Sequence, residues 1–214
     1  MQYKNLNIKW LGHSGFLINF NNLNIYIDPI KLSNSIEKAD LILITHGHHD
    51  HFSIEDIKKI IKNNTKFIGP PEIISQTRFI GDVDFEVAEP GKDLKFNEIS
   101  IKCIHAYNIN KPFHSKGDSV GYLIDFDGTK IYHSGDTDII PEMNNIQTNI
   151  AFLPVSGKFT MTANEAAKAA EIINPDFAIP IHWGTLIGTK ENAEEFVKLC
   201  KEKKINAMIM EREN

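Results

Sequence analysis

Cysteine and positive charge are both scarce in this sequence. Its 214 residues include two cysteines, Cys103 and Cys200, which make no framework of disulfides of the kind that small secreted proteins use. Lysine and arginine number 23 against 28 aspartates and glutamates, so the formal charge is −5. Nucleic-acid-binding proteins usually present a basic face instead. The cysteine usage predicts a reducing compartment, the cytoplasm, and the charge disfavours nucleic acid as a partner.

Long apolar runs are missing as well. No stretch approaches the ~20 consecutive apolar residues that a transmembrane helix needs. Residues 1–6 lack the basic-then-apolar pattern of a signal peptide. We therefore expect no membrane partner. With 42% hydrophobic and 24% charged residues, the composition fits a single globular domain over residues 1–214 with a sizeable core.

The densest cluster of ionisable residues lies at positions 46–51, which hold four histidines, one aspartate and one glycine. The apolar residues 41–44 precede it and predict a strand buried on both faces. Ser53 followed by Asp56 is a helix-start pattern, and isoleucines recur at helical spacing over residues 54–61. We therefore expect the histidines on a short turn between two rigid elements, as a metal site requires.

The donor types and their spacing predict metal ligands. Imidazole nitrogen and carboxylate oxygen suit zinc and its first-row neighbours. His46 and His48 lie two residues apart and project the same way in an extended turn, whereas the adjacent Asp50 and His51 would face a second ion. The alternative is a solvated histidine cluster with weak metal affinity, which the flanking strand and helix disfavour.

The rest of the chain contains hairpins followed by alternating helices and strands. Two-residue turn signals occur at residues 21–22, 97–98 and 127–128. Helices are predicted over residues 163–173 and 191–203, and a final strand over residues 207–210. This order of elements predicts two sheets with helices outside them.

Residues 45–51, Thr-His-Gly-His-His-Asp-His, resemble the signature of the metallo-β-lactamase fold superfamily. Further matching segments fall in the expected order along nearly the whole chain: residues 10–16, 27–29, 105, 134–137 and 180–184. Within the superfamily the chain is most similar to compact metal-dependent hydrolases related to the ascorbate-6-phosphate lactonases. The resemblance implies an α/β fold of the α+β kind, a four-layer αββα sandwich of two mixed β-sheets with helices outside.

The resemblance also implies seven metal ligands that divide between two divalent ions. These are His46, His48 and His105 for one ion, Asp50, His51 and His182 for the other, and Asp136 as the bridge. Zinc is favoured, although Mn²⁺, Ni²⁺ and Fe²⁺ accept the same donors. Di-iron oxygen-reducing relatives replace one histidine of the motif by glutamate, whereas this chain keeps His48.

Hydrolysis is the predicted activity. Two ions about 3.5–4 Å apart would share a hydroxide that attacks an ester, lactone, thioester or phosphoester bond. Asp50 would orient that hydroxide and accept its proton. Asp28 has two interpretations that stay open: it caps a turn before Pro29, or it braces the histidine loop, as the resemblance implies. His13 is expected to be structural or to line the pocket.

A loop without periodicity over residues 106–119 directly follows His105, and long loops beside a site often bind substrate. The basic side chains of this loop, together with Lys158, would form a positively charged rim around the site, which would attract a small anionic substrate. These side chains are Lys111, His114, Lys116 and Lys158. Solvated surface charge is the plainer interpretation of each lysine.

We predict that His114 protonates the leaving group. The predicted substrate contacts are Lys158, Trp183 and His133.

Two other functions stay open. One is nuclease activity, but the relatives that process nucleic acid carry an inserted domain or a basic arm, for which an acidic chain of 214 residues leaves little room. The other is a non-catalytic binding module that holds metal, against which the complete ligand set argues. The sequence also leaves open whether copies of the chain associate into a homo-oligomer.

Overall fold

The computed structural model describes residues 1–213, which divide into two compact units. Unit 1 comprises residues 1–88 and the C-terminal residues from Glu211, and unit 2 comprises residues 89–210. Each unit contains one mixed β-sheet, as the order of hairpins and helices predicts. The assignment of residues 1–214 to a single domain stays a prediction, and Asn214 lies outside the described residues.

The sheet of unit 1 has seven strands in sequential order, of which the first four are antiparallel and the later neighbours parallel. The strands are β1 (Gln2–Tyr3), β2 (Leu6–Gly12), β3 (Gly15–Phe20), β4 (Leu23–Ile27), β5 (Leu41–Leu43), β6 (Lys66–Gly69) and β7 (Asp84–Val87). The helices are α1 (Ile54–Ile60) and α2 (Ile74–Thr77), with a 3₁₀ turn at Pro71–Ile73. Because β4 and β5 are parallel, their carboxyl ends meet at one edge of this sheet.

Helix α1 connects β5 to β6 and packs through Ile57 and Ile60 into a cluster with sheet residues such as Ile42. Its first turn is capped by Ser53, whose side chain accepts a hydrogen bond from the backbone N–H of Asp56. The Asp56 carboxylate, however, accepts hydrogen bonds from the backbone N–H groups of residues 31 and 32, at 2.6 and 3.0 Å. The helix therefore both fixes the end of the histidine turn and holds the segment after β4.

The sheet of unit 2 has six strands in the order β13-β12-β11-β10-β9-β8. The strands are β8 (Asp93–Phe96), β9 (Ile99–Ala106), β10 (Ser119–Phe126), β11 (Thr129–His133), β12 (Ile150–Pro154) and β13 (Phe177–Ile181). The helices are α3 (Ala163–Ile173) and α4 (Lys190–Glu202), with a 3₁₀ turn at Pro141–Asn145. Strands β9, β11 and β13 run in the same direction, so their carboxyl ends lie at one edge.

Local signals place the helices of unit 2 as predicted. Thr162 and Glu165 form a reciprocal capping box at the start of α3, and α3 packs against β12 and α4. The predicted strand over residues 207–210 is wrong. This segment forms a single β-bridge, between Ala207 and Ala178. The backbone N–H of Ala178 donates to the carbonyl oxygen of Asn206, the N–H of Met208 donates to the carbonyl oxygen of Ala178, and the pairing does not extend further.

A bilayer-spanning helix is absent from residues 1–213, where no helix combines the necessary length with the necessary apolar character.

Candidate metal centre

The histidine turn follows β5 and is held by one buried carboxylate at the end of β4. Asp28 accepts hydrogen bonds from the Thr45 backbone N–H at 2.8 Å and from the Thr45 hydroxyl at 2.6 Å. Its Oδ2 atom also lies 2.7 Å from Nδ1 of His51. Asp28, Thr45 and His51 are all completely buried. Of the two interpretations of Asp28, the structure therefore supports the brace of the histidine loop.

This network determines which ring nitrogen of two histidines carries a proton. A carboxylate only accepts hydrogen bonds, so the Nδ1 atom of His51 is the donor to Asp28. The Thr45 hydroxyl has one proton and gives it to Asp28, so at 3.0 Å it accepts from Nδ1 of His46. In its neutral form each imidazole is thus protonated at Nδ1 and presents the lone pair of Nε2. A hydrogen bond from the other ring nitrogen is the usual support of a metal-binding histidine.

The turn itself brings further nitrogen donors together. The rings of His46 and His48 meet edge to face with centroids 4.6 Å apart, and those of His46 and His51 are 4.1 Å apart. His48 is exposed, whereas His46 and His51 are buried. Glu72 accepts a hydrogen bond from the backbone N–H of Gly47. A Cβ atom at residue 47 would lie 3.1 Å from that carboxylate, so the absence of a side chain at Gly47 allows Glu72 to approach the backbone N–H.

Asp50 lies within reach of two imidazoles of unit 1. Its Oδ2 atom is 3.1 Å from Nε2 of His13 and 4.0 Å from Nε2 of His51. Asp50 is 6% exposed and His13 is fully buried. The structural or pocket-lining role predicted for His13 agrees with its burial, but its contact with Asp50, 37 residues away, has no signal in the sequence.

In unit 2 two imidazoles approach the carboxylate of Asp136, which follows the end of β11. Nε2 of His182 is 2.9 Å from Asp136 Oδ2, and Nε2 of His114 is 3.4 Å from the same oxygen. His182 directly follows β13, and its φ of +61° turns the chain sharply at the strand end. All three residues are buried. The structure thus brings the predicted bridging aspartate together with two of the histidines that the sequence singled out.

Asn108 orients the ring of His114. Its Oδ1 atom lies 3.1 Å from Nδ1 of His114 and accepts the backbone N–H of the same residue at 3.1 Å. Its Nδ2 group donates to the carbonyl oxygen of Phe159 at 3.0 Å, which fixes the orientation of the amide. Nδ1 of His114 is therefore a donor, and in the neutral imidazole the lone pair of Nε2 faces Asp136. Asn108 lies in the loop without periodicity, where nothing in the sequence marked it.

The other predicted residues of unit 2 have different surroundings. His105 is the second-last residue of β9 and is half-buried, and its Nδ1 atom is buried without a hydrogen-bond partner among residues 1–213. In the same range it belongs to no cluster of three donor atoms within 4.8 Å of one another. His133 is fully buried and accepts the backbone N–H of Gly135 at 3.2 Å, so it supports the turn that carries Asp136. Trp183 is buried and donates to the carbonyl oxygen of Pro180.

Two of the three lysines expected on a positive rim are paired with carboxylates. Lys111 contacts Asp138, and Lys116 lies 3.2 Å from Glu142. The hydrogen bond that Lys116 donates to Glu142 raises the pKa of Lys116, so this ammonium group stays charged and paired. Lys158 is exposed, with its ammonium group 4.8 Å from the centre of the Phe159 ring. Of the three, Lys158 is therefore the best placed to attract an anion.

Comparison with known proteins identifies close relatives over almost the whole chain. The profile of the beta-lactamase superfamily domain matches residues 7–182. A UPF0173 metal-dependent hydrolase of Methanopyrus kandleri is 31% identical over an alignment of 214 positions, gaps included. This alignment covers 92% of each chain. A metal-dependent hydrolase of Koribacter versatilis is 32% identical, with 94% of this chain and 95% of the other covered.

Solved structures show the same likeness. A metal-dependent hydrolase from Parabacteroides distasonis superposes with a TM-score of 0.85 at 30% identity, covering 97% of this chain and 94% of that one. Igni18, a metallo hydrolase from Ignicoccus hospitalis, gives a TM-score of 0.80 at 26% identity, with 98% and 96% covered.

Proposed function

Because this chain belongs to the β-lactamase superfamily, we propose that it is a dinuclear metal-dependent hydrolase acting on an ester, lactone, thioester or phosphoester bond of a small anionic substrate. The observation that carries the proposal is the Asp28–Thr45 network. It directs the Nε2 lone pairs of two buried histidines away from their protein partners, which is the preparation that metal ligands need.

The donors of both units fit divalent ions. Neutral imidazole and carboxylate are the ligands that zinc takes in catalytic sites. In unit 2 the Nε2 lone pair of His114 faces a carboxylate oxygen of Asp136 at 3.4 Å. Two acceptors that face each other in a buried place repel unless a cation or a proton lies near them. A metal ion bound by both residues supplies that positive charge.

We assign six ligands as the family resemblance implies: His46, His48, Asp50, His51, Asp136 and His182. Two residues compete for the seventh place. His105 is the ligand that the family resemblance implies, whereas the hydrogen bond from His114 to Asn108 favours His114. An imidazole that gives its Nε2 lone pair to an ion does not deliver a proton from that atom. The role of His114 as the acid for the leaving group is therefore the alternative to its role as a ligand.

Two divalent ions, when bound, make a water molecule acidic near neutral pH and stabilise negative charge that develops on the substrate. The protein's own groups would do the rest. Asp50 would accept the proton of the attacking water at its carboxylate. Asp28 and Thr45 would keep the imidazoles in one tautomer and one orientation throughout. Lys158 would attract the anionic group, and Trp183 and His133 would border the substrate.

The test is an activity screen of metal-loaded protein against phosphodiester, phosphorylated lactone and thioester panels. His48→Ala serves as the blank, and His49→Ala, an exposed neighbour with no assigned role, serves as the matched control. We expect turnover by the wild type and by His49→Ala, and a loss of at least about 100-fold in His48→Ala. A substrate for which Lys158→Ala lowers kcat/KM would support the anionic class. Equal turnover by the wild type and His48→Ala on every panel would contradict the proposal.

A further inference from the structure

His13 stands at a turn position where the backbone alone favours asparagine, aspartate or glycine. It is the first residue of the two-residue loop between Gly12 and Gly15, and its φ is +54°. Four other two-residue hairpin loops occur in residues 1–213, and their first residues also have positive φ. These residues are Lys4, Asn21, Asn97 and Asp127. Three of them are the amide or carboxylate residues that such turns prefer, and the fourth, Lys4, has an exposed side chain.

Unlike Lys4, His13 points its side chain into the protein. The imidazole is 0% exposed, and its Nε2 atom lies 3.1 Å from Oδ2 of Asp50. Its ring meets the ring of His51 edge to face at 5.6 Å. The carbonyl oxygen of His13 accepts a hydrogen bond from Nε1 of Trp10 at 3.0 Å, which holds the turn in place. The requirements of the turn do not explain a histidine here, but its contact with Asp50 does.

We propose that His13 is a positioning residue for Asp50, an inference that rests on the proposed function. A carboxylate accepts hydrogen bonds and does not donate them, so Nε2–H of His13 is the donor. A donor fixed on a strained turn restrains the rotation of the carboxylate and stabilises its negative charge. His13 thereby holds Asp50 in the orientation needed to bind an ion and to accept a proton. Such supporting hydrogen bonds change metal affinity by about 10–100-fold.

The experiment compares His13→Gln with His13→Leu. Glutamine carries an amide N–H at about the reach of Nε2, whereas leucine has a similar size and no donor. The measurements are the number and affinity of bound Zn²⁺ ions by competition with a chelator, and the absorption spectrum of the Co²⁺-loaded protein. We expect His13→Leu to bind one of its two ions about 10–100-fold more weakly and to change the Co²⁺ spectrum. His13→Gln should stay within a few-fold of the wild type, with kcat restored relative to His13→Leu and KM little changed.

Asn21→Leu is the matched control, because it places leucine at the first position of another hairpin loop, with φ of +47°. Its metal binding should equal that of the wild type. If His13→Leu and His13→Gln both bind two ions as tightly as the wild type, His13 only fills space and the inference is overturned. If both lose one whole ion, His13 is itself a ligand, and the positioning role is overturned as well. Failure of the wild type to bind Zn²⁺ would instead contradict the proposed function.

Discussion

At the scale of single residues, one buried carboxylate holds the histidine turn through several hydrogen bonds. Asp28 receives three hydrogen bonds, two from Thr45 and one from His51, and lies in a positive-φ conformation directly after β4. Positive φ in a non-glycine residue recurs at His13 and His182. Strained residues of this kind persist where the surrounding structure determines them, and they concentrate at functional sites.

We predict that Asp28→Asn weakens metal binding by about 10–100-fold. Asparagine has one acceptor oxygen and one NH₂ group, so it cannot receive all three protons that the Thr45 N–H, the Thr45 hydroxyl and His51 Nδ1 donate to Asp28. The network that orients the two imidazoles is then weakened. Chelator competition with Zn²⁺ measures the effect. Asp40→Asn is the control, since Asp40 also accepts a backbone N–H but lies at the opposite end of β5. Equal affinities of Asp28→Asn and the wild type would show that the brace is unimportant.

Residue types and short spacings predicted the donors of the histidine turn, because all of them lie within six positions of one another. Contacts between distant positions had no such signal. The His13–Asp50 pair and the Asn108–His114 pair depend on where folding brings two segments together. For the same reason the prediction of His105 as a ligand and of His114 as an acid was made without knowledge of the Asn108–His114 contact.

At the scale of elements, the turns and helices were predictable because their signals are local. The hairpin loops at residues 21–22, 97–98 and 127–128 and the helix over residues 163–173 are confirmed. The strand over residues 207–210 was wrong because strand formation depends on a partner, and this segment pairs only around Ala178. Helix α1 shows a similar limit, since its Ser53 cap is local while the Asp56 carboxylate binds a segment 24 residues away.

Asp56 gives α1 a pH-dependent contribution to stability. Burial alone would raise its pKa, but hydrogen bonds from Lys59, Ser53 and the backbone N–H groups of residues 32 and 31 outweigh burial, and the pKa is lowered. Its stabilising effect is complete above the unfolded pKa, about 3.9, and is lost as pH falls through the lower folded pKa. We predict that Asp56→Asn lowers the free energy of unfolding by about 2 kcal/mol at pH 7, and by less near pH 3.

Urea denaturation of the metal-free protein at both pH values measures this difference. Glu55→Gln, an exposed carboxylate in the same helical turn, is the control and should change stability by less than about 0.5 kcal/mol. A destabilisation by Asp56→Asn that is the same at pH 7 and pH 3 would contradict the ionic account of this contact.

At the scale of the whole molecule, both sheets present their chemistry at the carboxyl ends of strands. In unit 1, Asp28 and the histidine turn follow the parallel strands β4 and β5. In unit 2, Asp136 and His182 follow β11 and β13, and His105 lies at the end of β9, which runs in the same direction. The predicted metallo-β-lactamase fold is confirmed by the likeness to the Parabacteroides distasonis structure over 97% of this chain. Zinc as the metal and the cytoplasm as the location stay predictions.

The number of metal ions bound by each chain tests the dinuclear centre most directly. Metal analysis of protein purified without added metal, then reloaded with Zn²⁺ and dialysed, should give two ions per chain. Asp136→Ala should retain no more than one, because it removes the proposed bridge. Asp138→Ala changes a neighbouring aspartate that pairs with Lys111, and it should keep both ions. Less than one ion per wild-type chain, or two ions retained by Asp136→Ala, would contradict the account.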